Sequence, residues 1–115
     1  MEVKASLMNY RISARKARLV SDEIRDKGVE EALNILAVSP KKFARPLSKL
    51  LHSAIANAES KNDTQNAGLD VDRLKVSQIM VDEGPAVWRI RARAQGRASW
   101  IQKRTCHVKV VLTER

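Results

Sequence analysis

Apolar residues recur every three or four positions in the first half of the chain, as in helices that bury one face. Ala17, Val20 and Ile24 follow this spacing and predict a first helix. Ser13 is placed to act as its N-cap, and Gly28 lies just beyond its expected end.

The same spacing predicts two further helices. A short one begins at about Val29, and Ser39-Pro40 predicts the start of the longest, with Pro at the first helical position. The apolar residues of this third helix are Phe43, Leu47, Leu50, Leu51, Ala54, Ile55 and Ala58. Pro46 removes a backbone donor inside the helix, which predicts a kink. The polar residues 59–68 predict a connecting loop.

In the second half the apolar period changes to two, which is typical of strands with one buried face. The alternating residues are Leu74, Val76 and Met80 in one stretch and Val108, Val110 and Leu112 in the other. Ile79 and Val81 interrupt the first pattern. With a short strand at 3–10, these stretches predict an α+β fold. Three helices would pack on a small three-stranded antiparallel sheet, in one domain over residues 1–115.

The two stretches predict one long hairpin if they pair antiparallel. With paired residue numbers summing to about 188, Trp88 faces Trp100 and Met80 faces Val108. The turn then centres near Ala94. The two tryptophans either pair across the strands or stack on nucleic-acid bases or riboses.

This protruding basic β-hairpin would run over about residues 82–106 and project on the order of 30 Å beyond the sheet. Gly96, near the turn, predicts a positive φ. A two-stranded ribbon of that length is not stable alone in water. We therefore expect it to lie against a partner.

Charge is segregated into the same part of the chain. The 115 residues carry a formal net charge of +9, and residues 84–113 hold seven basic side chains and no acidic one. Residues 1–83 hold fourteen basic against twelve acidic side chains. The seven are Arg89, Arg91, Arg93, Arg97, Lys103, Arg104 and Lys109. Segregation of this kind is typical of a protein that binds a polyanion.

Strand geometry divides these charges between faces. Arg89, Arg91 and Arg93 would share one face of their arm, opposite small or apolar residues such as Ile90 and Ala92. The guanidinium groups can form bidentate contacts with phosphate. The alternative is a solvated basic face.

A second group of basic residues on the first and third helices is a further candidate for RNA contact. Its members are Arg11, Arg15, Lys16, Arg18, Lys41 and Lys49. The alternative is an ordinary helix surface, on which Asp22 and Glu23 offset the positive charge.

Several function classes are disfavoured. No apolar run is long enough to cross a bilayer, and the N-terminus lacks a signal region. The single cysteine, Cys106, permits no intramolecular disulfide and fits a reducing cytosol. Cys106 and His107 would point to opposite faces of a strand, so they form no nucleophile–base pair. We predict no enzymatic activity, no metal and no cofactor.

Short segments spread over the chain resemble one family. They are SARKARLV at 13–20, IRDK at 24–27, SAIANAE at 53–59, LKV at 74–76, VDEGP at 81–85, RI at 89–90, RA at 93–94, GRA at 96–98 and KRT-C-His at 103–107. In this order and spacing, the chain resembles the bacterial L22 family of large-subunit ribosomal proteins. It departs from many relatives at Ala92, where they carry Pro, and at Gln95, where a basic residue is common.

The resemblance implies a structural constituent of the large ribosomal subunit in the cytoplasm. It implies a domain near the exit of the nascent-chain tunnel and a hairpin that reaches the ribosome's interior. The implied partners are large-subunit ribosomal RNA, whose assembly the protein aids, neighbouring ribosomal proteins and the nascent polypeptide. We expect neither a membrane partner nor a homo-oligomer.

The resemblance and the charge pattern together predict which residues carry these roles. The expected RNA-binding residues are Arg11, Arg15, Lys16, Arg18, Lys41, Lys49, Trp88, Arg89, Arg91, Arg93, Arg97, Lys103 and Arg104. The expected tunnel-lining tip consists of Ile90, Arg91, Ala92, Arg93, Ala94 and Gly96.

Two other functions are possible for a basic chain, and each would need a particular structural feature. A free-standing nucleic-acid regulator would use a helix-turn-helix at 13–38, with base-reading side chains at the start of its second helix. Glu30 and Glu31 occupy that position and would be repelled by phosphate. A membrane-surface binder would need a basic amphipathic helix, whereas the basic segment has strand periodicity.

Overall fold

The computed structural model of the chain describes residues 2–65 and 71–114. Its elements are β1 (Glu2–Tyr10), α1 (Ala14–Ile24), α2 (Val29–Val38), α3 (Ala44–Gln65), β2 (Leu74–Glu83), β3 (Val87–Ala92), β4 (Ala98–Lys103) and β5 (Cys106–Glu114), with 3-10 turns at Val71–Arg73 and Ala94–Gly96. Three helices accompany strands that pair antiparallel throughout. The predicted α+β class is therefore confirmed.

β1, β5 and β2 form a three-stranded sheet in that order, and the helices bury one of its faces. The central strand contributes Val108, Val110 and Leu112, all fully buried. Leu47 and Leu51 of α3 belong to the same core. Burial of a leucine or valine side chain stabilises a fold by about 1.5–3 kcal/mol, so this layer holds the domain together.

Helix side chains bind the outer edges of this sheet. On β2, the Arg18 guanidinium donates to the Val81 carbonyl at 3.0 Å and Arg25 donates to that of Ile79 at 2.9 Å. On β1, the Asn57 amide donates to the Lys4 carbonyl at 3.0 Å. These bonds satisfy edge carbonyls that would otherwise be open to pairing with another chain.

The third helix differs from the prediction at both ends. Ser39 ends α2 rather than starting α3, since its backbone N–H donates to the Leu36 carbonyl at 3.4 Å. Because α3 begins at Ala44, Pro46 lies in the first turn, where its missing N–H has no intrahelical partner to lose. The reason for expecting a kink is thereby removed. The predicted loop at 59–68 is wrong for 59–65, which are helical, and residues 66–68 lie outside the described chain.

The predicted strand register is correct only at the end of the sheet that lies farthest from the hairpin. Lys75 pairs with Thr113, which fits a sum of 188, but a bulge between Val76 and Gln78 shifts the register by one residue. Met80 therefore pairs with Lys109 rather than Val108. The same bulge explains the interrupted apolar pattern. Beyond it, Ile79 and Val81 point into the core, while Met80 is exposed.

A second one-residue shift separates the main sheet from the hairpin arms. Trp88 pairs with Gln102, and Trp100 pairs with Ile90, so the predicted pairing of the two tryptophans is wrong. The extra residue arises between the sheets, where 84–86 lie opposite 104–105. The turn consequently centres on Gln95 rather than Ala94.

β3 and β4 form their own two-stranded sheet, which lengthens the molecule. The principal extents are 64 × 27 × 16 Å, and the radius of gyration is 17.4 Å. A compact chain of this length would have a radius of gyration of about 13 Å. None of the helices in the described ranges is long and apolar enough to cross a membrane.

Candidate nucleic-acid interface

The two faces of the β3–β4 hairpin differ in chemistry. Directly paired residues share a face, and Arg89 pairs with Ile101 and Arg91 with Ser99. One face therefore carries Val87, Arg89, Arg91, Ser99, Ile101 and Lys103. The other carries Trp88, Ile90, Ala92, Ala98, Trp100 and Gln102. All six β3 residues are exposed, so both faces are open to a partner.

No hairpin cation forms an ion pair with an acidic side chain of residues 2–65 or 71–114. Among residues 2–65 and 71–114, the ion pairs join Arg25 to Asp22 and Arg73 to Glu114, both in the globular domain. Arg93 donates through Nε to the Ser99 hydroxyl at 3.0 Å, which orients its guanidinium and leaves its terminal N–H groups as donors. A row of like charges of this kind is stabilised when phosphates approach it.

Two left-handed residues close the hairpin tip. Gln95 has φ 61° and Gly96 has φ 72°, so the predicted positive φ of Gly96 is confirmed. A Cβ on Gly96 would meet nothing within 4 Å, so the backbone angle rather than space favours glycine there. The Arg93 N–H donates to the Arg97 carbonyl at 2.6 Å and closes the loop.

The neck between the domain and the hairpin is tightly packed. The Gly84 N–H donates to the Thr105 carbonyl at 3.0 Å, and the Thr105 hydroxyl donates to the Pro85 carbonyl at 2.7 Å. A Cβ on Gly84 would lie 2.5 Å from the Thr105 Oγ1, so only glycine fits without a shift. Beside it, His107 Nδ1 accepts from the Asn9 N–H at 3.0 Å. These contacts fix where the hairpin leaves the sheet.

On the domain, four predicted RNA-binding residues from separate segments line one cleft of 700 Å³: Arg11, Lys16, Lys41 and Arg104. We call this recess the basic cleft. It lies where the end of β1, the start of α1, the residues before α3 and the end of the hairpin meet. Ser13 caps α1, with its hydroxyl accepting from the Lys16 N–H at 3.5 Å. The positive end of the helix dipole adds to the cationic character of the cleft.

The remaining predicted residues lie elsewhere. Lys49 lines a neighbouring groove with Lys42 and Arg45, and Arg15 is exposed on α1. Arg18 holds the edge of β2, which gives it a structural role beside the predicted RNA contact. Trp88 is 57% exposed on the apolar face of the hairpin.

Sequence reasoning missed Leu19, Tyr10 and Gln102, which line the basic cleft. Leu19 is 58% exposed although leucine normally lies in the core. The sequence did hold one indication that Leu19 lies at the surface: it follows Arg18 and falls outside the apolar stripe of α1. Gln102 holds Arg104, accepting from its Nε at 3.2 Å, and no periodicity reveals such a contact.

The structure disfavours a free-standing nucleic-acid regulator that uses a helix-turn-helix at 13–38. α2 exposes Glu30 and Glu31 at the end where base-reading side chains would be needed, and Gly28 just before it is bridged to Lys75 of the sheet. The thiol of Cys106 is buried, and burial raises its pKa. That shift disfavours the reactive thiolate.

A comparison with known families agrees with the basic, two-faced architecture. The family model described as ribosomal protein L22p/L17e matches residues 5–113, nearly the whole chain. Members of this family are structural, non-enzymatic proteins of the cytoplasmic ribosome. The chain therefore belongs to the ribosomal protein L22p/L17e family and is a structural constituent of the large ribosomal subunit that binds its RNA alongside neighbouring ribosomal proteins.

Proposed function

We propose that the chain links separate parts of the large-subunit RNA during assembly, and that its hairpin tip lines the nascent-peptide exit tunnel. The globular domain binds RNA at the subunit surface through the basic cleft and the neighbouring groove. The hairpin extends from it into the RNA. The tip, residues Ile90, Arg91, Ala92, Arg93, Ala94 and Gly96, lies at the tunnel wall, with Ile90 and Ala92 on the face toward the passing polypeptide.

The observation that carries this proposal is the two-faced, exposed hairpin. Its arginine face suits the phosphates of folded RNA, and the opposite face holds Ile90, Ala92 and the two tryptophans. A ribbon without a core of its own is expected to gain order from a surface that covers it. A tunnel wall is such a place, because RNA covers one side and the other faces water and peptide.

The domain and the hairpin supply two separated cationic surfaces. Arg11 and Lys41 lie at the basic cleft, whereas Arg91 and Arg93 lie near the far end of a molecule 64 Å long. One chain can therefore neutralise phosphates in two distant RNA segments at once. Holding the segments together lowers the entropy lost when they assemble.

Site-specific photocrosslinking tests the tunnel position. A benzophenone amino acid replaces Ala94 in subunits that carry stalled nascent chains of defined lengths, and a second variant carries the same probe at Val38, which is 83% exposed on the domain. We expect crosslinks from position 94 to the nascent chain and none from position 38. Crosslinks from position 94 to RNA alone at every chain length would contradict tunnel lining.

Reconstitution of large subunits tests the assembly role. Subunits are assembled from RNA and proteins with the full chain, or with a chain in which an Asn-Gly turn replaces 89–101 and so keeps Trp88 opposite Gln102. We expect the shortened chain to be incorporated but to give fewer mature particles. Equal yields from both chains would show that the hairpin does not aid assembly.

A further inference from the structure

The basic cleft combines two features that a simple phosphate-binding surface does not need. Among the described residues that line it, five are cationic and none is acidic: Arg11, Lys16, Lys41, Lys42 and Arg104. Tyr10, Ile12 and Leu19 add an apolar wall. In the cleft, one part of a ligand would therefore meet positive charge, and another part would meet an apolar surface.

The apolar wall is accessible. Leu19 is 58% exposed, and Tyr10 and Ile12 are partly exposed. The Tyr10 ring is held against Phe43, with centroids 5.6 Å apart and planes at 57°, so its position is fixed from behind. An aromatic ring and an exposed leucine in the same cleft provide apolar surface on which the flat face of a ring can lie.

The cationic rim is also preorganised. Gln102 orients Arg104 by accepting from its Nε, and the cap at Ser13 fixes the first turn of α1, which carries Lys16. Lys41 and Lys42 line the same cleft from a further segment, just before α3. A phosphodiester that enters the cleft would therefore meet cations from several segments of the chain.

Double-stranded RNA does not match this arrangement, because its bases are stacked on one another and its shallow minor groove presents only base edges and 2′-hydroxyls, not base faces. An unstacked nucleotide matches it, because the faces of its base can lie on an apolar surface and its flanking phosphates are anionic. The volume of 700 Å³ lies within the range of roughly 300–1,000 Å³ that is usual for small-ligand sites.

We infer that the basic cleft receives a single unstacked nucleotide of RNA, with its base against Leu19 and Tyr10 and its phosphates on the cationic rim. The inference rests on RNA binding by the domain and specifies the form of RNA that the cleft selects. It does not depend on the tunnel position of the hairpin.

Three RNA hairpins of equal length and label test this inference. The first contains one bulged adenosine, the second has the same bulge without its base, and the third is fully paired. Their dissociation constants are measured by fluorescence anisotropy at about 0.1 M salt with the intact chain, because salt sets the phosphate contribution. We expect the bulged RNA to bind at least about fivefold more tightly than the other two, the effect of one stacked base.

Two protein variants separate the cleft from the rest of the surface. Leu19→Ser removes the apolar wall, and Val38→Ser makes a similar change at an exposed site of α2. We expect Leu19→Ser to abolish the preference for the bulged base without changing affinity for paired RNA. Val38→Ser should change neither quantity.

Three other outcomes would contradict either the nucleotide site or RNA binding by the domain. Equal affinity of the intact chain for all three RNAs would overturn the nucleotide site while leaving phosphate binding intact. A preference that survives Leu19→Ser would also overturn it. No binding to any of the three RNAs would contradict the domain surface as an RNA site, and with it the anchoring role proposed above.

Discussion

The globular domain and the hairpin both contain antiparallel strands, but the two regions are stabilised differently. Within β5, Val108 and Val110 are fully buried, whereas every residue of β3 is exposed. The domain is stabilised by its own core. The hairpin has no buried residue in β3 or β4, and it is held by backbone hydrogen bonds and by polar contacts such as that of Arg93 with Ser99. The difference indicates that stability resides in the domain and that the hairpin sequence is suited to a partner.

Truncation of one aliphatic side chain in each region should separate the two most strongly. Leu51 is fully buried, whereas Ile90 is 63% exposed. We expect Leu51→Ala to lower the free energy of unfolding by about 2–5 kcal/mol and Ile90→Ala by less than about 0.5 kcal/mol. Urea unfolding followed by circular dichroism measures both. Comparable losses would place the hairpin within the cooperative core.

The neck should be the most sensitive point between the regions. In Gly84→Ala the new Cβ would lie 2.5 Å from Thr105 Oγ1 and 3.1 Å from His107 Cε1. We expect a loss of about 1–3 kcal/mol, as is usual for overpacking. A double-mutant cycle with Thr105→Ala checks the cause, because removal of the hydroxyl should relieve part of the loss. A fully additive cycle would show that the Thr105 contact is not the source.

Arginine should act differently in the two regions. We expect Arg18→Gln to destabilise the domain by about 1 kcal/mol, since Arg18 donates to the Val81 carbonyl. Arg91→Gln should leave stability unchanged and weaken RNA binding by about fivefold at 0.1 M salt, the effect of one lost phosphate contact. Unfolding and RNA titrations of both variants measure these effects. An unchanged stability of Arg18→Gln would show that the edge contact is not structural.

The smallest effect concerns the pH dependence of the domain. Burial raises the pKa of the Cys106 thiol above its usual value of 9.0, so the folded state holds this proton more tightly than the unfolded state. The protonated thiol therefore stabilises the folded state. This stabilisation is fully present below the pKa that the thiol has in the unfolded state, and it is lost as pH rises through the pKa that it has in the folded state. The stability difference between the native chain and Cys106→Ala should therefore be constant below about pH 8 and shrink above about pH 9. A constant difference up to pH 10.5 in urea titrations would contradict it.

The sequence predicts the domain better than it predicts the strand register. Helix periodicity and the Ser13 cap place α1 correctly, because both signals are local. The predicted register is wrong because of two one-residue shifts, at the bulge after Val76 and at the neck. The first shift leaves a trace in the sequence, since Ile79 and Val81 interrupt the alternation, but the shift at the neck leaves none.

The sequence predicts which charged residues belong to the candidate interface but not how these residues are arranged in space. Arg11, Lys41 and Arg104 are far apart in the chain, and only the fold brings them to one cleft. The edge contact of Arg18 depends in turn on the packing of α1 against β2. Such arrangements follow from tertiary packing, which periodicity does not describe.

The salt dependence of RNA binding tests the division between domain and hairpin most directly. With about six phosphates neutralised, the slope of log affinity against log salt for large-subunit RNA should be about −4 to −5. Replacing 89–101 with an Asn-Gly turn keeps Trp88 opposite Gln102 and removes Arg89, Arg91, Arg93 and Arg97. We expect this variant to unfold cooperatively like the intact chain and to give a slope that is smaller in magnitude by about 3. An unchanged slope, or loss of cooperative unfolding, would contradict it.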